Sequence, residues 1–349
     1  MKDFNPRTVL ESLNLGLHRA LDHDSNVILL GEDILDPYGG AFKVDRGLST
    51  AFPERVLTTP ISEAGITGLA GGLALRGMRP VVEIMFGDFS TLIADQVINH
   101  LAKFSQMYHG TVKTPAVIRI PMGGRRGYGP THSQTLEKLF LGVPGLVVLA
   151  PFNLKMNSAL GAPGQLLFDS IIQVNDPVLF IENKLQYLLQ LQSSDDLGEF
   201  ELEEITLPGE IPSPFYTFAI QAAPAAQITL AAYGYMAHLA LDAMHELAYE
   251  HEIFCELMVP TRLAPFELAP LFDSVSRTSH LLTIEEGTLS LGWGAEVLAR
   301  TSEALGGQLR NSRRLAAQET VVPTAPQLEK RCLPDADDII QQVLEMVKN

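Results

Sequence analysis

A carboxylate at the start of a glycine-rich helix and a histidine inside a glycine-rich loop are the two positions where this sequence gathers chemistry. The first lies in Thr59-Pro60-Ile61-Ser62-Glu63-Ala64-Gly65, where a β-like stretch breaks into a helix running through Gly68, Ala70, Gly71, Gly72 and Ala74. Small residues on one helix let a second backbone approach closely. A first-turn carboxylate is also favoured by the helix dipole, by about 0.3–1 kcal/mol. By spacing alone, Glu63 is therefore either a helix-start stabiliser or an acid available for proton transfer. The second position is His132, in the loop Pro121-Met122-Gly123-Gly124-Arg125-Arg126-Gly127-Tyr128-Gly129-Pro130-Thr131-His132-Ser133-Gln134. That loop follows the apolar run Ala116–Ile120, and loops at the carboxyl ends of parallel strands are where open α/β sheets bind ligands. His132 is either a catalytic group there or a loop histidine bonded to nearby backbone. Competing signatures are missing: Gly68–Gly72 and Gly123–Gly129 fit neither GxGxxG nor GxxxxGK[ST], and neither HExxH nor GxSxG occurs.

The elements that must position these residues alternate. A capping box, Thr8-x-x-Glu11, precedes Leu10, Leu13, Leu17 and Leu21 at helical spacing. Apolar β runs follow at Val27–Leu30, Pro80–Ile84, Ala116–Ile120, Leu146–Ala150 and Val178–Ile181, mostly separated by helical stretches. Nearly continuous apolar strands alternating with helices predict an α/β fold, a mostly parallel sheet covered on both faces. Polar and acidic residues then gather over Gln190–Pro214 with the two prolines of the IPSP segment, which reads as a linker. Alternation resumes with strands at Ile228–Tyr233, Ile253–Val259 and His280–Ile284, and helices at Met236–Tyr249 and Gly294–Leu305. A last helix over Asp335–Val347 carries Ile339, Ile340, Val343, Leu344 and Val347 on one stripe. The expected organisation is two α/β/α domains, residues 1–185 and 227–349, joined by an acidic linker over 186–226.

Composition narrows the function classes. At 349 residues the chain suits two domains. Its 25 basic and 41 acidic residues give a net charge of −16, which repels nucleic-acid backbones and anionic lipid surfaces. Nucleic acid and membrane are accordingly not expected partners. Cys255 and Cys332 lack metal-site or disulfide spacing, and no apolar run approaches the length of a membrane span. The opening MKDFNPRTVLES lacks a signal-peptide core, so the expected location is cytoplasmic, or an organelle matrix if a targeting segment was removed.

The two chemical segments also carry a family resemblance. TPISEAGITGLAGGLALRGMRPVVEIMFGDFSTLIADQVINHLAKF, RIPMGGRRGYGPTHSQ, PGLVVLAP, DPVLFIENKLQY, ITLAAYGYMAHLALDAM, GWGAEVLAR and APQLEKRCLPDADDI occur in order along nearly the whole chain. Together they resemble the β subunit of thiamine-diphosphate-dependent 2-oxo acid dehydrogenase E1 components, of the pyruvate and branched-chain type. The resemblance implies a thiamine-diphosphate pyrimidine-binding fold followed by a transketolase C-terminal-type domain. It implies oxidative decarboxylation of a small 2-oxo acid with acyl transfer to lipoyl-lysine. Glu63, matching the SEAG glutamate, would supply a proton to the aminopyrimidine ring. Ile61 would line the pyrimidine pocket, Phe89 would contact the pyrimidine ring or be an ordinary core aromatic, and Glu32, in LLGED, would be a buried acid near the cofactor or merely a loop-start acid. His132, matching the HSQ histidine, would orient substrate and assist acyl transfer.

Gly87-Asp88-Phe89 lacks the second glycine of the family's diphosphate motif, and no Mg2+ ligand cluster accompanies it. The resemblance therefore implies an E1 α subunit that supplies the diphosphate and Mg2+ half, an α2β2 heterotetramer, and a lipoyl-bearing E2 acyltransferase as a further partner, with a structural K+ possible. The sequence departs from the family pattern in places. A Pro-Gly pair in SALGAPGQLL is expected to break a helix, and GTLSLGWGAE replaces RTGGFGAE. Arg125 and Arg126 add two cations beside His132, as substrate ligands or as a solvated loop; Arg forks suit carboxylates and phosphates. That pair is what would favour an alternative, a split transketolase-like enzyme moving a two-carbon ketol unit. A second alternative is a non-catalytic assembly subunit.

Overall fold

The computed structural model describes residues 5–207, 209 and 213–348. Thr8 caps α1 (Val9–His23) and Glu11 completes the capping box, as the spacing predicts. The first half continues with β1 (Val27–Gly31), α2 (Leu48–Ala51), β2 (Val56–Thr58), α3 (Glu63–Leu75) and β3 (Arg79–Glu83). Next come α4 (Ser90–Asp95), a π-helical turn over Gln96–Leu101, α5 (Ala102–Met107), β4 (Val117–Met122), β5 (Val147–Leu149), α6 (Gly161–Ile172) and β6 (Val178–Asn183). The second half holds β7 (Phe200–Ile205), β8 (Phe215–Ile220), β9 (Ile228–Ala232), α7 (Gly234–His251), β10 (Cys255–Pro260), β11 (Arg262–Ala264) and α8 (Ala269–Thr278). It ends with β12 (His280–Thr288), α9 (Trp293–Leu305), β13 (Asn311–Ala317), α10 (Pro326–Cys332) and α11 (Ala336–Val347).

Each half is built on its own sheet. The first runs β11-β5-β6-β4-β3-β1-β2 and is parallel except for β11. The second runs β13-β12-β9-β10-β8-β7, with β8 and β7 antiparallel. The predicted α/β architecture with mostly parallel sheets is therefore present in both halves. The two are not separate bodies. β11 leaves the second half to pair with β5, and one apolar cluster runs from Ile118 and Leu179 to Tyr233, Leu271 and Trp293. Among the described residues no helix is long and apolar enough to cross a membrane.

Two expectations are corrected. The stretch 186–226 is not simply a linker, because β7 and β8 form the antiparallel edge of the second sheet. Exposed Glu201, Glu203 and Glu204 face outward from β7 while Phe200, Leu202 and Ile205 are half-buried, so an edge strand carries a loop-like composition. Pro208, Glu210, Ile211 and Pro212 of that stretch lie outside the described residues. The Pro163-Gly164 pair does not break a helix either, since α6 runs through it. Pro163 sits in the first turn, where no intrahelical N–H bond is lost. Gly164 meets α1 face to face: its N–H donates to Ser12 Oγ at 2.8 Å, and a Cβ there would come within 2.1 Å of the Ser12 carbonyl oxygen.

Candidate active site

Because β6, β4, β3, β1 and β2 are neighbours and parallel, the loops leaving their carboxyl ends lie side by side. Glu32 follows β1, residues 59–62 follow β2, Phe86–Phe89 follow β3, the His132 loop follows β4, and Lys184 follows β6. The sheet thus brings Glu32, Ile61, Glu63, Phe89 and His132 to one edge, and Arg125 is the exception.

Two clusters form there. In the first, Glu63 is the opening residue of α3 and only 8% exposed, its carbonyl accepting the Thr67 hydroxyl at 2.8 Å. Glu32 is buried beside it, and its Oε1 has no hydrogen-bond partner. Burial raises the Glu32 carboxyl above its ordinary value, the charge of Glu63 raises it further, and the Ser62 main-chain N–H opposes both. Ile61, just before the helix, stands 83% exposed. A buried acid, a second acid with an orphaned oxygen and an exposed apolar side chain thus stand together at this edge.

In the second cluster the His132 ring sits edge-on to Phe86 at 4.7 Å and to Phe89 at 5.4 Å. Thr131 Oγ1 lies 2.9 Å from its Nδ1, which leaves Nε2 as the nitrogen for a ligand. Lys184, fully buried, donates to the His132 carbonyl oxygen and lies over the Phe86 and Tyr128 rings. Burial lowers its ammonium to about 8, against the opposing pull of Asp88 and Glu286. Asp88 accepts from the Gln134 side chain at 2.7 Å, so the GDF aspartate is held by the His132 loop. Among the described residues no group of His, Cys, Asp or Glu could hold a metal ion.

The arginine pair divides. Arg125 does not face this edge: its guanidinium donates to the Pro334 carbonyl oxygen and lies 5.8 Å from the Tyr235 ring, both in the second half. Its φ of +66° turns the chain so that successive side chains diverge. Arg126 stays exposed near Phe42 and Tyr128, with Tyr128 packed edge-on to Phe86. Sequence reasoning passed over Phe86 and Lys184, although FGDF and ENK both contain them, because no spacing rule connects β3 or β6 with a loop after β4.

Residues 6–188 match the transketolase pyrimidine binding domain and residues 219–339 the transketolase C-terminal domain. The mitochondrial pyruvate dehydrogenase E1 component subunit beta of Saccharomyces cerevisiae is 35% identical, over 97% of this chain and 88% of that protein. This chain belongs to the E1 β-subunit family of 2-oxo acid dehydrogenases. Another relative of this E1 β-type chain, the acetoin:2,6-dichlorophenolindophenol oxidoreductase subunit beta of Bacillus subtilis, is 33% identical over 97% of the chain and 96% of that protein. A solved structure described as a split gene transketolase, inactive beta4 tetramer, superposes with a TM-score of 0.72 at 18% identity, covering 98% of this chain and 99% of that one, which supports the fold. Within this E1 β fold both acids and His132 fall in the pyrimidine-binding region.

Proposed function

We propose that the chain is the β half of a thiamine-diphosphate-dependent E1 enzyme that decarboxylates a small pyruvate-like or branched-chain 2-oxo acid and passes the acyl group to lipoyl-lysine of an E2 acyltransferase. The observation that carries this reading is buried Glu63 at the start of α3, beside the orphaned Glu32 oxygen. Thiamine diphosphate, when bound, supplies the nucleophilic carbon and the electron sink for loss of CO2. Glu63 shares a proton with the pyrimidine ring nitrogen, and Glu32, its carboxyl raised by burial and by the charge of Glu63, stands next to it. Ile61 and Phe89 give the ring apolar walls that exclude water. His132, fixed by Thr131 and the two phenylalanines, presents Nε2 to the substrate carbonyl, and Arg126 reads the substrate's acid group.

An α subunit holds the diphosphate and Mg2+, and the α2β2 assembly forms on the face where Ile61, Leu69 and Leu92 stand exposed beside Ala64, Gly65 and Gly72 of α3. Free Cys255 and Cys332 suit a reducing compartment, cytoplasm or organelle matrix. The ketol-transfer alternative loses its motive, because Arg125 points away and a paired phosphate clamp is not formed.

The test is co-expression with an α chain, followed by cofactor-dependent CO2 release from pyruvate, branched 2-oxo acids and a ketose phosphate. Turnover is expected only with the 2-oxo acids and only in the complex. Glu63→Gln should lose about 10²–10⁴-fold in rate; an unaltered rate refutes the reading.

A further inference from the structure

The loop that carries His132 has no regular structure, and its shape is imposed by carboxylates from the other half of the chain. Gly123, Arg125, Gly127 and Gly129 have φ values of +99°, +66°, +67° and +75°. Alternating left-handed residues turn successive main-chain N–H groups toward one side, making the kind of concavity that ordinarily binds an anion. Here the anions are built in. Glu329 of α10 accepts from the Arg125 N–H at 2.8 Å with one oxygen and from the Gly127 N–H at 3.1 Å with the other. Glu286 of β12 accepts from the Gly124 N–H at 2.6 Å. Both carboxylates are buried, as hydrogen bonds from several N–H groups permit. The same segment shapes the loop sterically: a Cβ on Gly124 would come within 2.6 Å of Leu333, and one on Gly129 within 2.5 Å of Thr324.

We infer that Glu329, supported by Glu286, is a positioning residue for His132. It sits 197 positions further along the chain, touches no reacting atom in this reading, and acts by fixing the backbone from which the imidazole projects. At the far end of the loop Lys184 anchors the His132 carbonyl oxygen, so the histidine is held between a carboxylate of the second half and a lysine of the first. The inference deepens the proposed function and rests on it for the role of His132; the loop geometry itself does not.

The test uses the assembled enzyme, this chain with its α partner, carrying Glu329→Ala, the volume-conserving Glu329→Gln, His132→Ala, and the Glu329→Ala/His132→Ala double variant. A displacement of the imidazole by about 1 Å is expected to lower kcat about 10- to 100-fold, with little change in cofactor affinity. In the His132→Ala background the same change at Glu329 should cost kcat nothing further, with any loss through the neighbouring Arg126 read in KM. Amide exchange over 123–129 and trypsin cleavage after exposed Arg126 should accelerate in both Glu329 variants while the thermal midpoint of the remainder stays near that of the parent. Multiplying losses in the double variant, or parental protection of the loop in both Glu329 variants, overturns the inference. The exchange and proteolysis arms do not involve turnover. If Glu63→Gln and His132→Ala leave decarboxylation intact, the functional reading fails while those arms still decide how the loop is held.

Discussion

Glu285 is pulled in two directions. Burial and the nearby Glu137 disfavour its charge, whereas the N–H groups of Trp293 and Gly294 at the start of α9, at 2.8 and 2.9 Å, favour it. Burial prevails and the carboxyl is pushed up to about 8 from its ordinary 4.5. A carboxyl raised on folding holds a proton that the unfolded chain releases. Its stabilising contribution is therefore complete below 4.5 and is lost as pH rises through about 8. The thermal midpoint of the parent chain should accordingly fall across this window, and Glu285→Gln should flatten that slope. Calorimetry over the same range checks it; an identical slope in the variant would assign the dependence to other groups, buried Glu137 first.

At the scale of elements, two contacts fix how helices and strands meet. α1 and α6 approach closely because Gly16 opposes Gly164, where a Cβ on either would run into the backbone of the other helix. Gly164→Ala should destabilise by about 1–3 kcal/mol, as overpacking does in a closed contact, measured as a lower urea midpoint with an unchanged m-value. The carboxyl ends of β3, β4 and β6 are tied by Arg119, wholly buried, which meets Asp45 at 2.9 Å, Glu83 at 3.1 Å and Glu182 at 2.8 Å. Three carboxylates around one cation leave excess negative charge, and burial and the neighbouring Asp45 push the Glu83 carboxyl well above its ordinary value, against the opposing pull of Arg119. Arg119→Met removes the only cation of this cluster among the described residues and should cost about 3–5 kcal/mol, the range for breaking a buried pair. Denaturant unfolding would show it, and a loss under about 1 kcal/mol would mean that the carboxylates neutralise without the arginine.

For the whole molecule, the unmet requirement is a covering for the face that presents Ile61, Leu69 and Leu92. Apolar side chains exposed on neighbouring elements beside small residues mark an interface. Leu69→Asp with Leu92→Asp should leave the fold and thermal midpoint of the chain unchanged and abolish co-purification with the α subunit. Sedimentation of the mixture decides it, and an intact complex would place the interface elsewhere. In the proposed reading, cofactor-dependent CO2 release from the same mixture should disappear together with the complex.

Local sequence determined a good deal here. The capping box before α1, the apolar strands, and Glu63 opening α3 were all legible, because each depends on residues within a turn or a strand of one another. The match of motifs added the expectation that Glu63 and His132 serve one site. Tertiary structure decided the rest. Composition alone made an edge strand at 200–205 resemble a linker, and only pairing with β8 distinguishes the two. Pro163-Gly164 reads as a helix break until α1 is laid against it. Arg125 reads as a substrate ligand or a solvated loop cation until Pro334 and Glu329 are brought to it across the fold. Each of these depends on contacts between residues far apart in sequence, where side-chain direction follows from packing and not from local propensity.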